Sequence, residues 1–204
     1  LLDWTIGAVL KTRTITDVII TTPDESVLQY VKEKYGNTVI PVIRERDLAR
    51  INVYIEYTVT HALREYQKNH EKPDTIVILY IESPFRKPDE IDDAIRIMQL
   101  FGTDRVVGVR PDNDVFYRHN GDGLEPIRTD QTLKLEREAI FREAGQINVI
   151  KREFFEKTRH IFGGKVGHII VDQCSAIRLI SEWDWELAEL QAKKNFPFWL
   201  RTGE

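Results

Sequence analysis

The sequence predicts an α/β fold: a doubly wound, mostly parallel sheet in one domain spanning 1–204, with an insertion at 111–142. Three observations carry that expectation. Short apolar runs at 17–22, 38–43, 75–80 and 105–109 alternate with segments of helical periodicity, which is the pattern of a sheet covered on both faces. The rhythm breaks after Pro111, where Asn120-Gly121 and Gly123 mark a hairpin and a polar excursion follows. The chain of 204 residues, 42% hydrophobic and 30% charged, is long enough to bury a sizeable core and ordinary for a globular domain.

Each element has a local reason. Leu2, Ile6, Val9 and Leu10 fall at helical spacing, and because a chain seldom begins inside an amphipathic helix, residues ahead of Leu1 are expected. Asp17–Thr22 reads as a buried strand closed by Pro23-Asp24. Glu25–Tyr35 is a helix with Val27, Leu28 and Val31 inward, stopped at Gly36-Asn37. Thr38–Ile43 is a strand, Arg44–Asp47 a charged loop, and Asn52 is expected to cap a helix running to about Asn69. Thr75–Tyr80 is the third strand, Pro88–Leu100 a helix with Ile91, Ile95 and Met98 on one face, and Arg105–Val109 the fourth strand. After the excursion, Gln146–Ile150 returns to strand, Arg152 opens a helix, Gly167–Val171 is strand, and Ser181 caps a last helix with Glu182 in its first turn.

Composition narrows the function classes. A formal net charge of -4 gives no concentrated basic face, so no nucleic-acid partner is expected, although a small anionic ligand needs only a few local cations. Cys174 is the only cysteine, which excludes an internal disulfide and a cysteine-based zinc site and suits a reducing, cytoplasmic compartment. No apolar run approaches the roughly 20 residues of a membrane span, and nothing reads as a signal peptide. The five histidines lack metal-ligand spacing. Trp183 and Trp185 fit core packing better than base stacking. The apolar tail Phe196–Leu200 is expected to pack on the domain or across a dimer.

The most informative stretch is Val77-Ile-Leu-Tyr-Ile-Glu-Ser-Pro-Phe-Arg86, a strand that stops at a polar turn ahead of a helix. Ligands of open α/β sheets bind at the carboxyl ends of strands. Glu82, Ser83 and Arg86 stand there as acceptor, hydroxyl and cation. A solvated loop is the competing reading, at about even weight.

Taken in order, the motifs resemble those of the sugar-activating cytidylyltransferases, most closely the CMP-sialic acid synthetase type. Asp17–Gly36 is similar to the family's D-x-V-x-V-S-T-D-D-E…Y-G. Leu79–Arg86 is similar to L-Q-P-T-S-P-L-R, and Arg142-Glu-Ala-Gly-Gln-Ile-Asn148 to R-x-N-G-x-I-Y. Ser181–Glu189 resembles the helix after the family's D-I-D metal motif, and Leu1–Leu10 the helix after its phosphate-binding loop. The resemblance implies transfer of CMP from CTP to a 2-keto sugar acid of the sialic (nonulosonic) type, release of pyrophosphate, Mg²⁺ as cofactor, and a homodimer built through the 111–142 insertion.

It also implies site residues. Arg86 and Arg142 are candidates to clamp the sugar acid's carboxylate in bidentate fashion. Ser83 and Gln146 are candidate hydrogen-bonding partners of the substrate, and Gly145 permits close backbone approach. The departures are as informative. Tyr80, Ile81 and Glu82 stand where Gln, Pro and Thr are usual, and Ala144 and Asn148 replace Asn and Tyr. Arg178-Leu179-Ile180 replaces Asp-Ile-Asp, and neither Arg nor Ile offers the oxygen ligands that Mg²⁺ takes. Three readings stay open. The ligands have moved, with Asp184 and Glu182 as candidates beside Glu82 and Asp172; or the enzyme relies on triphosphate-bound Mg²⁺; or the chain is a catalytically degenerate relative that binds or scaffolds in surface-glycan synthesis.

Overall fold

The computed structural model describes residues 1–127 and 140–194. Eight strands and six α-helices follow one another as α1 (Leu2–Leu10), β1 (Ile19–Thr22), α2 (Glu25–Tyr35), β2 (Ile40–Ile43), α3 (Ile55–Tyr66), β3 (Thr75–Leu79), α4 (Pro88–Phe101), β4 (Arg105–Asp112), β5 (Tyr117–His119), β6 (Leu124–Pro126), β7 (Ile140–Lys151), α5 (Arg152–Thr158), β8 (Val166–Ile170) and α6 (Glu182–Lys194). The main sheet has the order β3-β7-β4-β8, while β1 and β2 form a separate parallel pair. Strands β3, β4 and β8 point one way and β7 runs against its two neighbours, so the sheet is mostly parallel in direction with one reversed strand.

Period-2 alternation sorts the apolar side chains onto two faces. Val77 and Leu79 of β3, with Ile147 and Val149 of β7, meet Val9 of α1 and Ile91, Ala94, Ile95 and Met98 of α4. Ile76, Ile78 and Ile150 turn the other way, onto Val59 and Leu63 of α3 and Phe155 of α5. A third cluster joins Ile6 of α1 to Val31 of α2 and Val39 beside β2. Helices therefore cover both faces, as a doubly wound sheet requires.

Helix ends follow their chemistry. Asp24 caps α2 by accepting from the Ser26 amide at 2.9 Å, and Gly36 closes it at φ +55°. Pro88 opens α4, where Glu90 accepts from the Lys87 amide at 2.9 Å. Ser181 and Asp184 cap α6 reciprocally, at 2.8 and 3.3 Å. Three expectations are corrected. Asn52 does not cap α3, whose N-cap is Tyr54, because the chain stays extended until Ile55. The 44–47 segment is not wholly loop, since Arg46–Ala49 forms a 3-10 turn. The strand expected at 146–150 begins at Ile140, because β4 also runs on to Asp112 and the two pair beyond the sheet. The turn at Asn120-Gly121 is the expected hairpin, joining β5 to β6. The insertion's segment 128–139 and the tail 196–200 lie outside the described residues.

Two carboxylates fasten the opening helix and the loop that follows it. Asp92 on α4 is 1% exposed and accepts from the Arg13 and Thr14 amides and the Thr14 hydroxyl, at 2.5 to 3.1 Å. Asp3 accepts from Lys34 at 2.8 Å, Tyr35 at 2.6 Å and Tyr30 at 2.7 Å, tying α1 to α2. Burial works to raise the Asp3 carboxyl, but those three hydrogen bonds outweigh it and hold it below the ordinary carboxylate range.

Asp92→Ala removes the buried acceptor of three part-buried donors, so urea unfolding is expected to show a loss of about 1–3 kcal/mol. Asp3 is lowered in the folded state, so its contribution is full above the unfolded carboxylate value and fades as pH falls through the folded one. Asp3→Asn is expected to cost about 1 kcal/mol near pH 7, after allowance for its partial exposure, and progressively less as pH falls below the ordinary carboxylate range. Denaturation midpoints of both chains across pH 2 to 7, values set by the ordinary carboxylate of about 3.9, check this; a gap that stays constant with pH overturns it.

Candidate active site

The turn after β3 is built around a buried guanidinium. Arg86 is 1% exposed. Its Nη2 donates to the Tyr80 carbonyl at 2.7 Å and to Thr5 Oγ1 of α1 at 3.0 Å. Its Nη1 donates to the carbonyls of Gly145 and Gln146, at 3.3 and 3.2 Å. Burial lowers the Arg86 pKa to about 10, which leaves it charged at neutral pH. One side chain thus ties the exit of β3, the start of α1 and the middle of β7.

The β7 contribution is a bulge. The pairing of β4 with β7 jumps between Val107, opposite Asn148, and Val109, opposite Glu143. Gly145 at φ +73° and Gln146 at φ +50° take the left-handed conformation in succession, turning both carbonyls onto Arg86. The bulge needs Gly108 across from it, because a Cβ there would lie 2.5 Å from the Ala144 carbonyl oxygen. A Cβ on Gly145 would meet Val171 at 3.3 Å, in addition to the strained φ.

The loop after β8 closes the same corner. The Leu179 amide donates to the Glu82 carbonyl at 2.9 Å, and Ser175 Oγ donates to the Phe85 carbonyl at 3.2 Å. Phe85 packs with Leu179 and Ala188, and its ring meets Trp4 edge-on at 5.1 Å. Beside it, Lys87 bridges to Asp172, which also accepts from the Ser175 amide at 2.8 Å. Burial pushes the Glu90 carboxyl up, with Asp172 adding to the effect. Asp172 is itself held low, since its hydrogen bonds from Lys87 and Ser175 outweigh burial. Tyr80 is raised by burial and then by Glu143, Glu56 and Glu82 around it.

The structure brings Glu82, Ser83, Arg86, Gly145 and Gln146 together but changes what two of them do. Arg86 is not an open clamp for a carboxylate, because both terminal nitrogens are engaged by the protein. Ser83 is fully enclosed, its hydroxyl without a partner among the described residues, so it lies beneath the surface. Glu82 and Gln146 stay half-buried at the rim, and Arg142 is exposed further along β7, opposite Arg110. Asp184 spends its carboxylate on the Ile180 and Ser181 amides and the Ser181 hydroxyl, at 2.8 to 3.1 Å, and these hold its pKa low. Glu182 is exposed in the first turn of α6. Among the described residues no three of His, Cys, Asp and Glu converge to hold a metal ion. Sequence reading missed the Lys87–Asp172–Glu90 cluster, since nothing local signals a pair 85 positions apart.

No family model matches the chain. It is 23% identical over 195 residues to the CMP-N,N'-diacetyllegionaminic acid synthase of Legionella pneumophila, covering 93% of this chain and 83% of that protein. It is 28% identical over 209 aligned positions to the N-acylneuraminate cytidylyltransferase of Escherichia coli O18:K1:H7, covering 96% of this chain but 46% of that one. The chain thus spans less than half the length of the second relative. Among solved structures, the 4-diphosphocytidyl-2C-methyl-D-erythritol synthase of Anaerococcus prevotii superposes with a TM-score of 0.68 at 13% identity, over 94% of this chain and 85% of that one. A CMP:2-keto-3-deoxy-manno-octonic acid synthetase complexed with CTP superposes with a TM-score of 0.64 at 11% identity, over 94% and 87%. These identities speak to the fold alone. No helix among the described residues is long and apolar enough to cross a membrane.

Arg86→Met keeps bulk but removes four hydrogen bonds, two of them fully buried, so it is expected to lower stability by about 3 kcal/mol or more in denaturant titration. A loss under 1 kcal/mol would mean that the bulge holds itself without the brace.

Proposed function

We propose that this chain, a sugar-activating cytidylyltransferase by sequence kinship and fold, transfers CMP from CTP to a 2-keto sugar acid of the sialic or legionaminic type and releases pyrophosphate. The observation that carries the reading is the braced corner at the carboxyl end of β3, in a segment that resembles that family's, within alignments that run along nearly the whole chain.

The chemistry asked of the chain is positioning. The sugar's anomeric hydroxyl attacks the α-phosphorus of CTP, the α–β phosphoanhydride bond breaks, and the attacking oxygen's proton is lost as pyrophosphate leaves. Rim groups orient the acceptor: Gln146 offers an amide to sugar hydroxyls and Arg142 a guanidinium to the carboxylate. Glu82 stands beside Tyr80 as an acceptor. Ser83 and Arg86 hold the floor on which these act. The described residues do not fit a protein-bound Mg²⁺, since Arg178, Leu179 and Ile180 replace the acidic pair and Asp184 is committed to a helix cap. Magnesium would therefore arrive with the incoming triphosphate, neutralising its charge without ligands from the chain. The proposed working unit is a homodimer.

The test is pyrophosphate release, with the CMP-sugar identified by mass, from CTP and each of N,N'-diacetyllegionaminic acid, N-acetylneuraminic acid, 2-keto-3-deoxy-manno-octonic acid and 2-C-methyl-D-erythritol 4-phosphate. Turnover with a nine-carbon acid is expected. Gln146→Ala and Arg142→Ala should raise KM for the sugar about 10-fold or more while leaving the melting temperature within about 2 °C, a loss of roughly 1.4 kcal/mol of substrate binding. Turnover with only the methylerythritol phosphate overturns the acceptor class. Full-length protein that binds a sugar acid without any turnover points to the degenerate relative instead.

A further inference from the structure

The loop between β8 and α6 holds a guanidinium ready at the carboxyl edge of the sheet. Its main chain is anchored on both sides of Arg178. Ser175 Oγ donates to the Phe85 carbonyl at 3.2 Å, the Leu179 amide to the Glu82 carbonyl at 2.9 Å, and the Ile180 amide to Asp184 at 3.1 Å. Ile177 and Leu179 pack with Phe85 and Ala188. Arg178 stands between those two packed residues and is itself exposed. Among the described residues its side chain makes no hydrogen bond or ion pair. A fixed backbone carrying an uncommitted cation is pre-organised for a ligand, because little ordering remains to be done on binding.

Neighbouring cations are already engaged. Arg86 is spent on carbonyls and Thr5, Lys87 bridges to Asp172, and Arg110 Nη1 donates to the Val171 carbonyl at 3.1 Å. Carboxylates crowd the same corner. The Tyr80 phenol is raised by burial and then by Glu143, Glu56 and Glu82, and of the charges acting on it only Arg178 works the other way. Both substrates of CMP transfer are anions, a triphosphate and a carboxylate. Either one approaching those three glutamates is repelled unless a cation faces it.

Arg178 and Ile180 also occupy the two positions where the resemblance expects the acids of a metal motif. The exchange reverses the sign of the side chain but keeps the sign presented to an anion: a carboxylate pair does so by holding a metal ion, a guanidinium by its own charge. We propose that Arg178 receives an anionic oxygen of a substrate directly, from the triphosphate of CTP or the carboxylate of the sugar acid, and so replaces a chain-held metal at this corner. The planar fork suits either group, since both offer two oxygens side by side. The role is one of binding and orientation, with no bond made or broken at Arg178. It rests on the CMP-transfer reading given above.

The test is titration calorimetry of the full-length protein with CTP, and with N-acetylneuraminic acid in the presence of CDP, each in EDTA and again with Mg²⁺. Arg178→Ala is expected to weaken one of the two ligands about 10-fold. Its melting temperature should stay within about 2 °C, because the side chain is exposed. Arg178→Lys, which keeps the charge but not the fork, should retain part of the affinity, and Arg178→Glu should lose more than Arg178→Ala. A loss confined to CTP, larger in EDTA than with Mg²⁺, identifies the triphosphate as the source of the anion; a loss confined to the sugar acid identifies the carboxylate. Lys157→Ala is the control, since it removes a charge from α5, which starts beside Asp74 ahead of β3. Unchanged affinity for both ligands in Arg178→Ala, or an equal loss in Lys157→Ala, overturns the proposal and leaves CMP transfer standing. Wild-type protein that binds neither ligand overturns both.

Discussion

Among the described residues no carboxylate forms an ion pair with the buried Arg86, which is held by the dipoles of three main-chain carbonyls and one threonine hydroxyl. Two of those carbonyls point at it only because Gly145 and Gln146 adopt the left-handed conformation, and that bulge is possible only because Gly108 leaves room for the Ala144 carbonyl. The third belongs to the residue at which β3 ends. The main sheet is therefore pinned to α1 at the carboxyl end of β3, the edge at which ligands of open α/β sheets bind.

This arrangement separates buried side chains from exposed ones. Arg86 and Ser83 lie beneath the surface, whereas Glu82 and Gln146 reach the rim and Arg142 is open to solvent. Structures of similar fold are named for different acceptors, an erythritol derivative in one case and an octonic acid in another. Fold alone does not choose among them. On the reading proposed above, the choice falls to rim side chains on a common floor. The Lys87–Asp172 bridge and the half-buried Glu90 beside it form a second polar cluster at the same corner, one that fastens the loop after β8 to the start of α4.

The division of the strands into two sheets has a bearing on that corner. Helix α1 touches both halves: Ile6 packs with Val31 of α2, Val9 with Ile91 of α4, and Thr5 with Arg86. The placement of Thr5 by α1 therefore bears, through Arg86, on the bulge.

The sequence by itself determined the element order, because the periodicities of strands and helices and the chemistry of helix ends are local. Asp24, Gly36, Pro88 and Ser181 each mark a boundary that the structure shares. It also singled out the turn after β3, since a strand ending in Glu-Ser-Pro-Phe-Arg carries its own polar signal. It misplaced the α3 cap at Asn52, and it gave β7 less than half its length, because an antiparallel pairing with β4 is a non-local fact that no window of sequence contains. The larger error was Arg86, read as a free clamp because an arginine after a strand looks exposed until its surroundings are known. Only the tertiary structure brings Thr5, Tyr80, Gly145 and Gln146 around that guanidinium from positions up to 81 residues away, and burial, not spacing, turns a candidate ligand contact into a brace.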